Sequence, residues 1–217
     1  MKQKPFVILG AGGHGRVVAA AMIASGREVA AFLDPERSLW GKKVDGVPVA
    51  GGDDKLSDFP AAKFSVAIGV GGVRDTRARR ALHAAALAQG AALPSVIAES
   101  ARVAPSARLG DGTQVLTHAV VHPGASVGAG CVVNTAAVVE HDCVLGAHVF
   151  VGPGAILCGG VTVGDGTFIG AGAVILPEIR LGSNVLVAAG AVVRTDVPDG
   201  RKALGRGPAK ERRREDQ

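Results

Sequence analysis

Asn134, Glu140, His141 and Asp142 fall within two adjacent six-residue segments of a stretch otherwise poor in ionisable side chains. A histidine flanked by carboxylates suits general-base chemistry. Its neutral ring accepts a proton near pH 7, and a neighbouring carboxylate fixes the tautomer and stabilises the resulting imidazolium. Asp142 is the first candidate for that partner and Glu140 the second. Pro123 lies eighteen residues before His141, and Gly159, followed by Gly160, eighteen after. Glycines beside a base leave room for a substrate and expose backbone N–H groups able to meet developing negative charge. No serine sits in a nucleophile elbow, and Cys143 falls at an inward position, so direct attack is favoured over a covalent intermediate. His14, His118, His122 and His148 are weaker candidates, and His83 is expected on the polar side of a helix.

A second chemical region lies near the start. Pro5–Leu9 reads as a buried strand, followed by Gly10-Ala11-Gly12-Gly13-His14-Gly15 and an Ala/Val-rich helix from Arg16 to about Ser25. A strand at Val29–Leu33 ends at Asp34, about the distance at which an acidic residue meets a ribose hydroxyl in dinucleotide folds. A third strand, Phe64–Ile68, runs into Gly69-Val70-Gly71-Gly72, and a basic, Ala-rich helix follows over about Arg74–Gln89. Glycine-loop and helix-terminus N–H groups suit a diphosphate. The segment supplies only about four of the six strands of a full dinucleotide domain, so it reads as an α/β half-Rossmann unit for a nucleotide. With no tyrosine in the chain, no Tyr/Lys hydride-transfer pair is present.

What must position the histidine is a repeat. From Ile97 an aliphatic residue recurs at every sixth position through Val103, Leu109, Val115 and onward to Val193, seventeen times without a gap. Four residues after each comes a small or β-branched residue, from Ala101 and Ala107 to Ala191 and Val197. Neither the 3.6-residue period of a helix nor the two-residue period of a strand gives this pattern. A solenoid of short strands does, each strand pointing one aliphatic side chain inward before a corner. Three faces make an eighteen-residue coil, so five to six coils are expected. Glycines following the aliphatic, as in Val127-Gly128 and Leu145-Gly146, are read as corner residues that tolerate strained or left-handed backbone. The fold class is therefore an α/β half-Rossmann N-terminal domain (1–95) followed by a left-handed parallel β-helix of hexapeptide repeats (96–198) and a basic C-terminal segment (199–217).

Composition narrows the partners. Of the 217 residues 47% are hydrophobic and 32 are glycine, with six Phe, one Trp and a net charge of +5. Residues 1–95 carry 13 basic and 8 acidic side chains, residues 96–200 carry 4 and 8, and residues 201–217 carry 7 and 3. No basic stripe crosses the body, which argues against nucleic acid, while basic ends favour small anions. Three cysteines without ligand spacing give no disulfide framework and no metal site. No apolar run is long enough to insert in a membrane, and a reduced, cytoplasmic setting is expected.

The Gly-rich opening, the half-Rossmann segment, Val138-Val139-Glu140-His141-Asp142-Cys143 and the unbroken hexapeptide period together resemble the family of bacterial nucleotide-sugar N-acetyltransferases and sialic-acid O-acetyltransferases. The resemblance covers nearly the whole chain. It implies a cytoplasmic homotrimer with active sites between subunits, acting in lipopolysaccharide O-antigen biosynthesis. The implied reaction moves acetyl from acetyl-CoA to the 4-amino group of a nucleotide-linked 4-amino-4,6-dideoxysugar, GDP-linked perosamine favoured. His141 becomes the general base, and Asp142 stands where the family commonly has Glu. The resemblance has Gly159 offer its N–H to the thioester carbonyl and places Asn134 near the sugar. Gly12, Gly13, His14, Asp34, Arg37 and Gly69 hold the nucleotide-sugar. Coenzyme A is expected along Gly159, Gly160, Ala189 and Gly190, with Pro208 and Lys210 of a closing Gly207-Pro208-Ala209-Lys210 motif contributing. The residues leave open O-acetylation of a sialic acid or other sugar hydroxyl, a UDP-linked acceptor, and a non-catalytic nucleotide-binding trimeric scaffold.

Overall fold

A computed structural model describes residues 4–72 and 75–205. The first part is a sheet in the order β3-β4-β2-β1-β5. Its strands are β1 (Phe6–Leu9), β2 (Val29–Leu33), β3 (Lys43–Val44), β4 (Val47–Gly51) and β5 (Ser65–Ile68), with α1 (Gly13–Ala24) after β1 and α2 (Arg77–Ala88) after β5. Four strands run parallel, and β3 pairs antiparallel with β4. The β3–β4 hairpin was not anticipated. Its turn is Asp45-Gly46, both residues at positive φ, the conformation that a two-residue hairpin requires. α1 starts three residues earlier than expected, at Gly13, and the described part of the second helix starts at Arg77. β1 and β5 are buried along their whole length, as strands covered on both faces must be.

From Val96 the chain is a left-handed parallel β-helix. Seventeen two-residue strands, β6 (Val96–Ile97) to β22 (Val192–Val193), each end on one of the aliphatic residues of the six-residue series. Each strand from β6 to β19 pairs in parallel with the strand three further on, as Val120–Val121 does with Val138–Val139. The result is three flat faces, and β23 (Lys202–Ala203) completes one of them. Val115 through Val193 line the interior, with the small column, such as Ala119, Cys131, Ala137, Cys143 and Ala155, beside them. Ile97 departs from the pattern and is 44% exposed, because it belongs to the first coil and no coil precedes it.

The corner glycines also differ from expectation. Positive φ recurs every six residues from Gly112 to Gly190, but on the third residue after each aliphatic, where His118, Ala136, Asp142 and His148 also stand. Glycines directly after the aliphatic do not have positive φ. They are small because coils stack closely: a Cβ on Gly128 would lie 2.6 Å from the Gly146 carbonyl. Close approach rather than backbone hand selects glycine there.

Candidate active site

His141 and Asp142 occupy the corner between β13 (Val138–Val139) and β14 (Val144–Leu145). Asp142 takes the left-handed position of that corner, at φ 60°, with its N–H donated to the Pro123 carbonyl (3.1 Å). This twist turns its carboxylate back to His141 Nδ1, at 2.9 Å. Glu140 points elsewhere, with Oε1 3.7 Å from His122 Nε2 on the preceding coil. The geometry thus assigns Asp142, not Glu140, as the partner of His141. The Asp142 hydrogen bond holds the His141 pKa above its ordinary value, against a smaller opposing effect of desolvation. Both side chains are exposed, at 64% and 72%, so this corner alone does not exclude water.

Two glycines make room for the pair. A Cβ on Gly159, one coil on, would lie 2.5 Å from His141 Nε2, so the ring stands directly over that residue. A Cβ on Gly124, one coil back, would run into the Asp142 carboxylate. Sequence reasoning found the first and missed the second, although Gly124 stands eighteen residues before Asp142. Among the described residues the Gly159 N–H donates no backbone hydrogen bond, whereas the Gly160 N–H is taken by the His141 carbonyl at 2.9 Å. Gly159 therefore has a free donor to offer and Gly160 does not.

The nucleotide-type loop is built at the carboxyl edge of the first sheet. Gly12 and Gly13 are exposed, with nothing within 4 Å of an added Cβ. Gly69 packs against Gly10 and Gly15 so closely that a side chain would meet the Gly10 carbonyl. The Asp34 carboxylate accepts from the N–H groups of Ala11 (2.7 Å) and Glu36 (2.9 Å). It first secures the loop, and its remaining lone pairs are available to hydroxyls. Arg37 stacks over Trp40, 5.6 Å from the ring centroid, and Trp40 Nε1 donates to the Asp34 carbonyl. His14 bonds Gln114 across the two parts of the chain at 2.9 Å and lies tilted against Phe150.

Not all of the expected residues come together within one chain. Asn134 follows β12 (Val132–Val133), one corner away from His141, and is buried with its Oδ1 accepting from the Thr135 N–H at 2.8 Å. Ala189 and Gly190 share Asn134's corner, whereas Gly159 and Gly160 share His141's. Between β18 (Phe168–Ile169), β21 (Leu186–Val187) and β23 lies an open groove of about 600 Å³, lined by Gly72, Phe168, Ala189, Lys202 and Leu204 among others. Phe150 and Phe168 stack at 5.1 Å beside it. Pro208 and Lys210 lie outside the described residues. His83 is not on a polar helix face: it is 4% exposed and packs edge-on against His148 at 4.9 Å. His118 is exposed, at a left-handed corner. Among the described residues no group of three or more His, Cys, Asp or Glu is placed to hold a metal, and no helix is long and apolar enough to cross a membrane.

Known proteins share this arrangement. Residues 5–82 match the PglD N-terminal domain, and residues 142–177 and 160–195 match the six-repeat bacterial transferase hexapeptide model. A comparison with curated protein sequences finds no match. The acetyltransferase domain of PglB from Neisseria gonorrhoeae FA1090, solved with acetyl coenzyme A, is 37% identical with a TM-score of 0.85, over 93% of this chain and 96% of that one. A histidine-to-alanine mutant of GDP-perosamine N-acetyl transferase from Caulobacter crescentus, solved with CoA and GDP-perosamine, is 38% identical with a TM-score of 0.85, over 94% and 95%. WeeI from Acinetobacter baumannii AYE, at 24% identity and a TM-score of 0.80, shares the fold. The chain belongs to the family of bacterial nucleotide-sugar N-acetyltransferases and sialic-acid O-acetyltransferases built on a hexapeptide-repeat β-helix, and it is an acetyl-CoA-dependent sugar N-acetyltransferase.

Proposed function

We propose that the protein acetylates the 4-amino group of a nucleotide-linked 4-amino-4,6-dideoxysugar, with GDP-perosamine as the favoured acceptor and His141 as general base. The observation that carries this reading is His141, oriented by Asp142 and standing over a glycine whose N–H is free. His141 accepts the proton as the sugar nitrogen attacks the thioester carbonyl, and the Gly159 N–H donates to the carbonyl oxygen as it gains charge. Acetyl passes to nitrogen in one displacement, and coenzyme A leaves as thiol or thiolate. The GDP preference rests on the 38% identical relative solved with GDP-perosamine.

The site is completed, in this reading, by a second copy. The nucleotide loop rests, through His14, on Gln114 of β9 (Gln114–Val115) and on Phe150, which lie on one face of the prism. His141 stands at the corner between the other two faces. Asn134 and Ala189-Gly190 likewise sit one corner away from His141. A homotrimer brings one chain's nucleotide loop and Ala189 corner to the His141 corner of the next. The groove beside Ala189 fits coenzyme A: its walls are apolar, and Lys202 at its edge can meet a phosphate.

Two tests follow. Thiol release from acetyl-CoA, measured against GDP- and UDP-linked 4-amino-4,6-dideoxysugars and their 4-hydroxy counterparts, is expected to give the highest kcat/KM with the GDP-linked amine. A hydroxyl acceptor outrunning both amines would overturn N-acetylation, and absence of thiol release with all of them would favour a scaffold. The second test concerns Asp142. A base whose pKa is raised is protonated over more of the range, so kcat/KM should fall as pH drops through a value above about 6.5, the ordinary histidine pKa. Asp142→Asn keeps a residue that tolerates left-handed backbone but removes the charge. It should move that limb to lower pH and lower the plateau about 10- to 100-fold. An unmoved limb would mean that Asp142 does not set the base.

A further inference from the structure

Arg79, on α2, is 1% exposed, and among the described residues no carboxylate forms an ion pair with it. Its donors go to backbone carbonyls instead. Nη1 reaches Ile68 (3.0 Å) and Val70 (3.1 Å), and Nε reaches Gly130 of the β-helix (3.2 Å). Nη2 has no partner. Burial brings its pKa down to about 10, which still leaves it charged at neutral pH. A buried cation without a counter-charge is worse for stability than an apolar side chain of similar shape, so folding alone does not explain an arginine here.

The carbonyls it holds bracket Gly69, the glycine wedged against the nucleotide loop. The Ile68 carbonyl accepts a second bond, from Gln114 Nε2 at 2.8 Å, and Gln114 Oε1 faces His14 Nε2 at 2.9 Å. With its amide nitrogen committed to a carbonyl, Gln114 has only its oxygen for the histidine. His14 must then donate, which fixes its proton on Nε2 and leaves Nδ1 as an acceptor beside Gly71. Burial, and then the Arg79 charge, push the His14 pKa down to about 4. Among the described residues, the charged group bearing on His14 is Arg79, from α2. Its other neighbours, Gln114 and Phe150, are neutral.

We propose that Arg79 is a positioning residue for the nucleotide-sugar end of the active site: through the Ile68 carbonyl and Gln114 it fixes His14 as a neutral, Nε2-protonated ring whose Nδ1 accepts a hydrogen bond from a substrate hydroxyl. His14 is then not the cation that meets the diphosphate. The inference rests on the reading of residues 10–15 as the nucleotide-sugar loop.

The test uses the full chain labelled with 15N-histidine. Long-range proton–nitrogen correlation is expected to show His14 as the Nε2–H tautomer, neutral down to about pH 5. In Arg79→Met it should lose the single tautomer and titrate nearer about 6.5, the ordinary histidine value. The same variant should raise KM for the nucleotide-sugar about 10- to 100-fold, with kcat and KM for acetyl-CoA within about twofold, the pattern of lost substrate binding. Should Arg79→Met not fold, Gln114→Leu leaves Arg79 in place and is expected to lose the single tautomer and raise KM for the nucleotide-sugar in the same way, while His14 stays neutral because burial and Arg79 still hold its pKa down. Wild-type His14 titrating as an ordinary histidine would overturn the proposal, as would unchanged tautomer and KM in both variants. Calorimetry of the wild type with GDP and with UDP separates the two levels. If neither binds, the nucleotide reading falls and takes the substrate half of the proposal with it, whatever the His14 tautomer.

Discussion

Replacing His141 with alanine is expected to lower kcat about 10²- to 10⁴-fold, the usual worth of a positioned general base. The side chain is exposed and, among the described residues, bonded only to Asp142, so its removal takes nothing from the core and leaves no buried group unpaired. The melting temperature should therefore stay where it is, and the dissociation constants of both substrates should change little. His141→Asn keeps a polar side chain of similar reach without a basic nitrogen, and the same loss in kcat is expected from it. Parallel thermal melts and steady-state kinetics check the separation of activity from stability. A variant retaining more than about a third of wild-type turnover would show that another group takes the proton.

Gly159→Ala should cost nearly as much, about 10²- to 10³-fold in kcat, the range seen when one oxyanion donor is lost. The reason is steric. The added methyl would lie 2.5 Å from His141 Nε2 and 2.6 Å from Cε1, closer than non-bonded atoms can stand. Either the imidazole swings away from its working position or the methyl fills the space a thioester carbonyl needs. The backbone itself tolerates alanine, because Gly159 is not among the positive-φ glycines, unlike its neighbour Gly160 at φ 71°. The variant should fold and melt like wild type. Kinetics within threefold of wild type would show that the ring is not anchored over Gly159 during turnover.

The β-helix was readable in the sequence because its period is carried by one residue type at one spacing, and each of the seventeen aliphatic positions ends a strand. The reason for its glycines was not. A residue after the aliphatic and one two places later both look like corner positions, and only coil-to-coil distances separate crowding at Gly128 from left-handed backbone at Gly130. Asp45-Gly46 was a hairpin signal in plain view, followed by Val47 and Val49 alternating inward, and it went unread beside the stronger glycine loop. His141 and Gly159 could be paired from sequence because a helical coil has fixed length. Asp142 could be ranked ahead of Glu140 from sequence but not chosen, since the choice depends on the left-handed turn at Asp142 that aims the carboxylate backward.

Arg79, His83 and Gln114 were out of reach for a different reason. A basic helix normally shows its charges to water, and α2 does so with Arg77. The β-helix corner at Gly130 and His148 lies against that helix and covers Arg79 and His83. Their partners stand far off in the chain: 51 residues separate Arg79 from Gly130, and 100 separate His14 from Gln114. Local pattern says nothing about such contacts. The six-residue period, by contrast, already put Asn134 and His141 on successive faces of an eighteen-residue coil, and grouping them in one chain's site overlooked that.

Product analysis distinguishes direct acetyl transfer to a nucleotide-linked amine, with His141 as the base, from every rival route. Wild-type protein is incubated with acetyl-CoA and a GDP-linked 4-amino-4,6-dideoxysugar, free thiol is counted, and the acetylated atom is identified by mass spectrometry and NMR. One thiol is expected for each acetyl found on the 4-amino nitrogen, with both signals lost together in His141→Asn. Acetyl found on a hydroxyl or on the protein, or full yield from His141→Asn, would contradict direct transfer with this base.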